Sequence, residues 1–176
     1  MQFPPSLISK GLSVLAKALV RIAVIVYVFA PYQGSAQETQ AHGYWVDPST
    51  GLMWAGKDNG RDVSWREATK YCRDLRLAGH SDWRLATIDE LEGIYDYNAR
   101  APGLAGKHRD EPFAFHVKGN LFLTGLQWSS SRLGDDRRHP SGYAWRFDFI
   151  NGNRFSGDQI GYSYFLRSVC VRRSGI

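Results

Sequence analysis

Cysteine is scarce in this sequence: two residues, Cys72 and Cys170, in 176. There is no CxxC pair, and neither cysteine stands beside a His pair at helix spacing. The five histidines, His42, His80, His108, His116 and His139, show no metal-ligand spacing. These absences argue against a zinc or other structural metal centre, and no cofactor is expected. The sequence also lacks a nucleophile elbow, a P-loop, an HExxH helix and a Gly-rich dinucleotide fingerprint, which removes the motif-backed routes to hydrolysis, phosphoryl transfer and hydride transfer. Without such a constellation the expectation is a protein that is not an enzyme. No apolar run approaches the roughly 20 residues that a membrane-spanning helix needs. Residues 1–36 carry no acidic residue and hold Lys10, Lys17 and Arg21.

That segment reads as an address. Basic residues precede the apolar run "IAVIVYVFA" (22–30), Pro31 follows, and "GSA" (34–36) offers small residues for cleavage before Gln37. The pattern is that of a secretory signal peptide over residues 1–36, followed by a polar linker over 37–43. The rival reading is an uncleaved membrane anchor. Nine apolar residues are too short for it, and Lys17 and Arg21 interrupt anything longer. Either way the remainder is exported, to the periplasm, the cell surface or the medium. The formal net charge is +5, from 22 basic and 17 acidic residues. Removing the three cations of the leader leaves 19 against 17, or +2, so the basic pI does not argue for a nucleic-acid partner.

Export changes how the cysteines read. In an oxidising compartment a lone pair is most simply a disulfide. Two buried thiols or half of a metal site are the alternatives. A bridge closing a loop of about 100 residues contributes on the order of 4–5 kcal/mol in the chain-entropy model.

What is present is aromatic and well punctuated. Aromatic residues make up 14% of the chain and hydrophobic residues 43%, enough for a packed core. "YWVDPSTGLMWA" (44–55) reads as two short strands around an Asp-Pro-Ser-Thr-Gly turn. "KDNGRD" (57–62) is a loop. Ser64 and Glu67 form a capping box, and Trp65, Ala68, Cys72 and Leu75 share one helical face, with Arg66, Lys70, Arg73 and Asp74 solvated. Gly79 is placed to end that helix in the left-handed conformation. "WRL" (83–85) is an extended crossing, and Thr87 with Glu90 caps a second helix with Leu91, Ile94 and Tyr95 as its apolar stripe. Residues 98–127 read as a long irregular excursion with a small hairpin around Phe113 to Leu123. "QWSSS" (127–131) is a strand and 132–142 a polar loop. "YAWRFDF" (143–149) alternates, with Tyr143, Trp145, Phe147 and Phe149 on one face, and turns at "NGN" (151–153). "FLRSVCVR" (165–172) is the last strand. The sum is an α+β domain with a mainly antiparallel sheet.

Several strings in this pattern resemble one bacterial family. They are Thr-Gly-Leu-Met-Trp (50–54), Gly-His-Ser-Asp-Trp-Arg-Leu (79–85), Trp-Ser-Ser (128–130) and the closing Val-Arg (171–172). Together they are similar to the family typified by the C-terminal domain of collagen-like bacterial adhesins, the Lcl C-terminal domain, over residues 44–173. Ala86 stands where the family usually has Pro, which should loosen the turn before the second helix. More remotely, the helix-one Trp65-x-x-Ala68 with Cys72, and Cys170 in the last strand, resemble the helix-to-strand disulfide of the C-type lectin-like fold. That resemblance implies a sheet with two helices, termini close together and a long loop on one side.

The adhesin-type resemblance implies recognition of an extracellular glycan, a sulfated polysaccharide or another envelope partner. The candidate surface is Arg132, Asp135, Asp136, Arg137, Arg138 and His139, because clustered guanidinium groups grip sulfate or carboxylate in bidentate fashion. The competing reading is an ordinary solvated loop. Calcium at Asp135 and Asp136 is disfavoured, since it needs six or more oxygens and the Trp-Asn-Asp signature of calcium-dependent lectins is missing. The structural motif residues are Trp65, Gly79, Asp82, Trp83, Arg84, Trp128 and Trp145. Trp54, Trp65, Trp83, Trp128 and Trp145 read as core rather than as sugar-stacking surface, while Trp45 and Tyr162 to Tyr164 are less constrained. His80 is expected to hydrogen-bond in its turn, and Asp82 and Arg84 to tie the loop to nearby backbone or to each other. Two further functions stay open. One is a structural subunit of an envelope complex, with homo-oligomerisation as an option. The other is an enzyme like the formylglycine-generating oxidases, which share the scaffold and an Arg-Leu-Pro-Thr-type helix start similar to "RLATIDELE", but need two closely spaced reactive cysteines.

Overall fold

The computed structural model describes residues 43–104, 112–134, 142–159, 161 and 163–175. The expected leader and linker, 1–42, and residues 135–141 of the polar loop lie outside the described residues. The described residues are α+β. Strands β1 (Tyr44–Val46) and β2 (Leu52–Ala55) form an antiparallel hairpin. Its turn is fixed by one side chain: the Asp47 carboxylate accepts from the Ser49 amide at 3.0 Å and from the hydroxyls of Ser49 and Thr50, each at 2.7 Å. Gly51 then supplies the positive φ, 67°, that lets its amide reach the Asp47 carbonyl at 2.8 Å.

Helix α1 (Trp65–Asp74) starts at Ser64 with both halves of the capping box in place and buries Ala68 and Cys72. It stops at Leu75, whose backbone is already extended. Gly79 therefore does not end the helix, as its position in the sequence suggests. Ala78 and Gly79, with φ of 53° and 76°, are the two central residues of a tight turn that pairs Leu77 with His80 through reciprocal amide–carbonyl bonds of 3.2 and 3.0 Å. Two consecutive positive φ values are what a two-residue hairpin turn requires.

Strand β3 (Arg84–Leu85) leads directly into helix α2 (Ile88–Gly93), whose capping box joins Thr87 and Glu90. Burial opposes ionisation of Glu90, but the bidentate Arg84 guanidinium at 2.8 and 2.6 Å and the Thr87 amide outweigh it and hold its pKa below the ordinary value. A helix of six residues depends heavily on such a start. Thr87→Ala is expected to lower the unfolding free energy by about 1 kcal/mol, read from the urea midpoint; no change would show that packing alone fixes α2.

Among the described residues between 98 and 127 the backbone is more regular than its composition suggests. β4 (Ala101–Leu104) and β5 (Pro112–Phe115) pair antiparallel, and a single 3-10 turn follows at Lys118–Asn120. The hairpin thus lies upstream of the expected 113–123. Gly103 explains part of it: a Cβ there would sit 2.3 Å from the Leu123 carbonyl oxygen and 2.2 Å from the Phe115 ring, so only glycine lets the strand come this close.

The remaining strands are β6 (Leu126–Arg132), β7 (Tyr143–Asp148), β8 (Asn153–Gln159), β9 (Leu166–Arg167) and β10 (Cys170–Arg173). One sheet has the order β1-β2-β10-β3, all antiparallel; a second has the order β8-β7-β6-β9, with β6 and β9 parallel. The expected closing strand 165–172 is thus two strands in two sheets. Asn59 makes the break: its amide donates to the Ser168 carbonyl at 3.1 Å and its side-chain oxygen accepts from the Ser168 amide at 2.7 Å, so Ser168 belongs to a loop contact and not to a ladder.

The alternation in β7 is also interrupted. Phe147 and Phe149 are fully buried and Trp145 packs partly against them, but Tyr143 is exposed and Ala144 is buried. The ladders on both sides of β7 shift register between Ala144 and Arg146, which turns the strand's first residues over.

Two clusters fill the interior. One joins Trp54, Leu91, Ile94, Phe115, Phe147, Phe149 and Val171 under α2. The other joins Cys72, Trp83, Leu85, Trp128, Leu166 and Cys170 under α1. Cys72 and Cys170 are disulfide-bonded across this second cluster, with Cα atoms 5.3 Å apart and a sequence separation of 98. No helix among the described residues is long and apolar enough to cross a membrane.

Candidate functional site

The motif residues of the middle segment hold the scaffold together. Trp83 and Trp128 are buried, and the Trp128 indole donates to the Val63 carbonyl at 2.9 Å. Asp82 and Arg84 do not pair with each other. Arg172 of β10 donates to both Asp82 oxygens, at 2.7 and 3.2 Å, and holds the Asp82 pKa below its ordinary value, while Arg84 serves Glu90. Charge alternation in "SDWR" thus serves two different neighbours, one on each side of the crossing.

The polar surface suited to a ligand is built on α1. Its buried face is set by Ala68 and Cys72, so the 3.6-residue repeat turns Arg66, Lys70 and Arg73 outward in one row. All three are exposed. The row's acidic partner, Asp74, pairs with Lys70 and stands 3.8 Å from Arg73, and its pKa is lowered first by the Lys70 hydrogen bond. Surface pairs of this kind are worth little.

On one flank of the row, Trp65 is half-buried, its indole donating to the Ser129 carbonyl at 2.8 Å. The Arg132 guanidinium lies over this ring, 5.6 Å from its centre. Arg132 is the last residue of β6, so the polar loop departs from beside the start of α1. Asp135, Asp136, Arg137, Arg138 and His139 lie outside the described residues. On the other flank is an open groove of about 540 Å³, bordered by the cations Arg61, Lys70 and Arg76, the carboxylates of Glu67 and Asp74, and Tyr71. Tyr71 is half-buried there, and both burial and the charge of Asp58 push its hydroxyl pKa up, so it remains a neutral donor.

The row and the groove were readable only as solvated charges in the sequence. The signal available was the spacing of Arg66, Lys70 and Arg73, which shares one face; Arg61 and Arg76 lie in the segments that flank the helix, where periodicity gives no direction.

A second, smaller cavity of about 210 Å³ lies between the β1–β2 turn and α2. Its carboxylates are occupied: Asp47 by its own turn, Glu90 by Arg84 and Asp89 by Arg154 at 3.2 Å. Among the described residues no group of three or more His, Cys, Asp or Glu side chains could hold a metal ion.

Comparison with curated proteins finds no match. The model of the Lcl C-terminal domain matches residues 43–172, a span that takes in every described strand but the last residue of β10, both helices and the disulfide, and the chain belongs to that family.

Proposed function

We propose that this chain is an exported, non-catalytic recognition domain that binds acidic glycans, sulfated polysaccharide above all, through the cationic face of α1 and the loop that leaves Arg132. One observation carries the reading: Arg66, Lys70 and Arg73 stand in an exposed row between Arg132 over Trp65 and the groove of Arg61 and Arg76. A polyanion with regularly spaced sulfates matches a row of cations, and guanidinium groups hold sulfate through paired hydrogen bonds. Membership of an adhesin-associated family supports the same class of partner. The helix-to-strand disulfide and the two helices support a C-type lectin-like scaffold beneath it. Both sulfurs are bonded to each other, so the oxidase chemistry that two free thiols would serve has no reactive pair here.

The loop contribution has its own test. Arg137→Ala with Arg138→Ala is expected to weaken heparin binding several-fold and to flatten its dependence on salt, because fewer cations are then screened. Binding curves of the double variant that overlay the wild type at every ionic strength would remove the loop and leave the α1 row alone.

A further inference from the structure

A different surface is built around an exposed tyrosine. After α2 the chain runs through Tyr95, Asp96, Tyr97 and Asn98, and Tyr97 is the most exposed large aromatic among the described residues, at 70%. Exposure alone would mean little for a single side chain. Its ring, however, is held in place. It lies nearly parallel to the His116 ring, with centres 5.2 Å apart and planes 17° apart. His116 is itself buried, its Nδ1 3.0 Å from the Ala99 carbonyl oxygen, and Tyr95 meets it edge-on at 6.1 Å. Tyr95 in turn meets the buried Phe147 at 5.9 Å. Tyr97 is thus the outermost member of a stack that begins in the core.

The backbone beneath it is equally fixed. The Asp96 amide donates to the His116 carbonyl at 3.0 Å, the Asn98 amide to the Asp96 carboxylate at 2.9 Å, and the His116 amide to the Phe149 carbonyl at 2.8 Å. The last of these bonds brings the β7–β8 turn alongside, with exposed Ile150 and Asn151. Gly152 closes the junction, since a Cβ there would stand 2.8 Å from the Tyr95 ring.

We propose that Tyr97 is a stacking platform for the apolar face of a pyranose ring, with its chain neighbours Asp96 and Asn98 at its edge to bond the sugar hydroxyls. One ring face is committed to His116, and the outward face is the one available. A sugar ring offers a flat C–H face to an aromatic and equatorial hydroxyls to flanking carboxylate and carboxamide groups, which is the set of side chains found here. Because the stack and the backbone bonds hold the ring already, little conformational freedom is lost on binding. The site takes an uncharged sugar ring. It stands apart from the α1 face and does not depend on it: loss of heparin binding would leave it intact.

The test uses the full chain with ring-labelled tyrosine and histidine, followed by NMR during titration with methyl β-glucopyranoside, methyl β-galactopyranoside, N-acetylglucosamine and N-acetylgalactosamine. A polyproline peptide serves as the competing class of ligand. At least one sugar should shift the Tyr97 and His116 ring signals saturably. Tyr97→Ala should weaken that binding about tenfold, Tyr97→Trp should retain it, and neither should move the thermal midpoint appreciably. The proposal is overturned if none of the four sugars moves the Tyr97 signals, if binding persists undiminished in Tyr97→Ala, or if the polyproline peptide alone binds.

Discussion

Replacing Cys72 and Cys170 together with alanine is expected to lower the unfolding free energy by about 2–5 kcal/mol, the largest single loss in this domain. The bridge ties α1 to β10 across 98 positions, and both residues are fully buried in the cluster with Trp83 and Trp128. Its removal frees a long loop in the unfolded chain, so the urea m-value should rise while the midpoint falls. A drop under about 1 kcal/mol would mean that the ladder between β10 and its neighbours β2 and β3, with the Arg172–Asp82 pair, already fixes the closing strand.

Asp58→Ala is expected to cost about 3 kcal/mol. Asp58 is only 4% exposed and accepts from the Thr124 amide at 2.7 Å, the Thr124 hydroxyl at 2.9 Å, the Gln127 side chain at 2.9 Å and the Gly60 amide at 3.0 Å. Thr124 passes the network on to Arg167, which pairs with Asp62. Alanine would leave buried donors without acceptors, each worth about 1–3 kcal/mol.

The pH dependence has a definite sign. Burial pushes the Asp58 carboxyl up, against the pull of its four donors. A carboxyl with a raised folded pKa binds its proton more tightly in the folded state. The stability it adds is full below its unfolded pKa and is lost as pH rises through the folded value. The wild type's advantage over Asp58→Ala should therefore shrink from acid toward neutral pH, measured as paired urea titrations. An advantage that grows with pH would show that the donors outweigh burial. Asp47 and Glu90, with lowered pKa values, act oppositely: their contribution is present above their unfolded pKa values and is lost as pH falls through the folded ones.

Local chemistry made much of this fold legible. The capping boxes at Ser64 and Thr87, the Asp47 turn and the buried face of α1 each depend on residues within a few positions of one another, and each has its mark in the sequence. What could not be read depends on distant partners. Asn59 splits the closing strand by bonding Ser168, 109 positions away. The register shifts that turn Tyr143 outward and Ala144 inward arise from β6 and β8, not from β7 itself. Gly103 marks a close approach only once Phe115 and Leu123 are known to be its neighbours.

The candidate site divides the same way. The basic residues of α1 share a face by their spacing alone, but Arg61 and Arg76 lie just outside the helix, where periodicity does not say which way they turn. Tyr97 has no periodic signal, because its platform is made by His116 from another segment.

The most direct test of the account is calorimetric titration of the full chain with heparin and with fully desulfated heparin across a range of salt. Sulfated polymer should bind, with an affinity that falls steadily as salt rises. Desulfation, or charge reversal of Arg66, Lys70 and Arg73 to glutamate, should abolish that binding while the fold persists. Equal affinity for both polymers, or binding unmoved by the triple reversal, would contradict the assignment of the α1 face as the recognition surface.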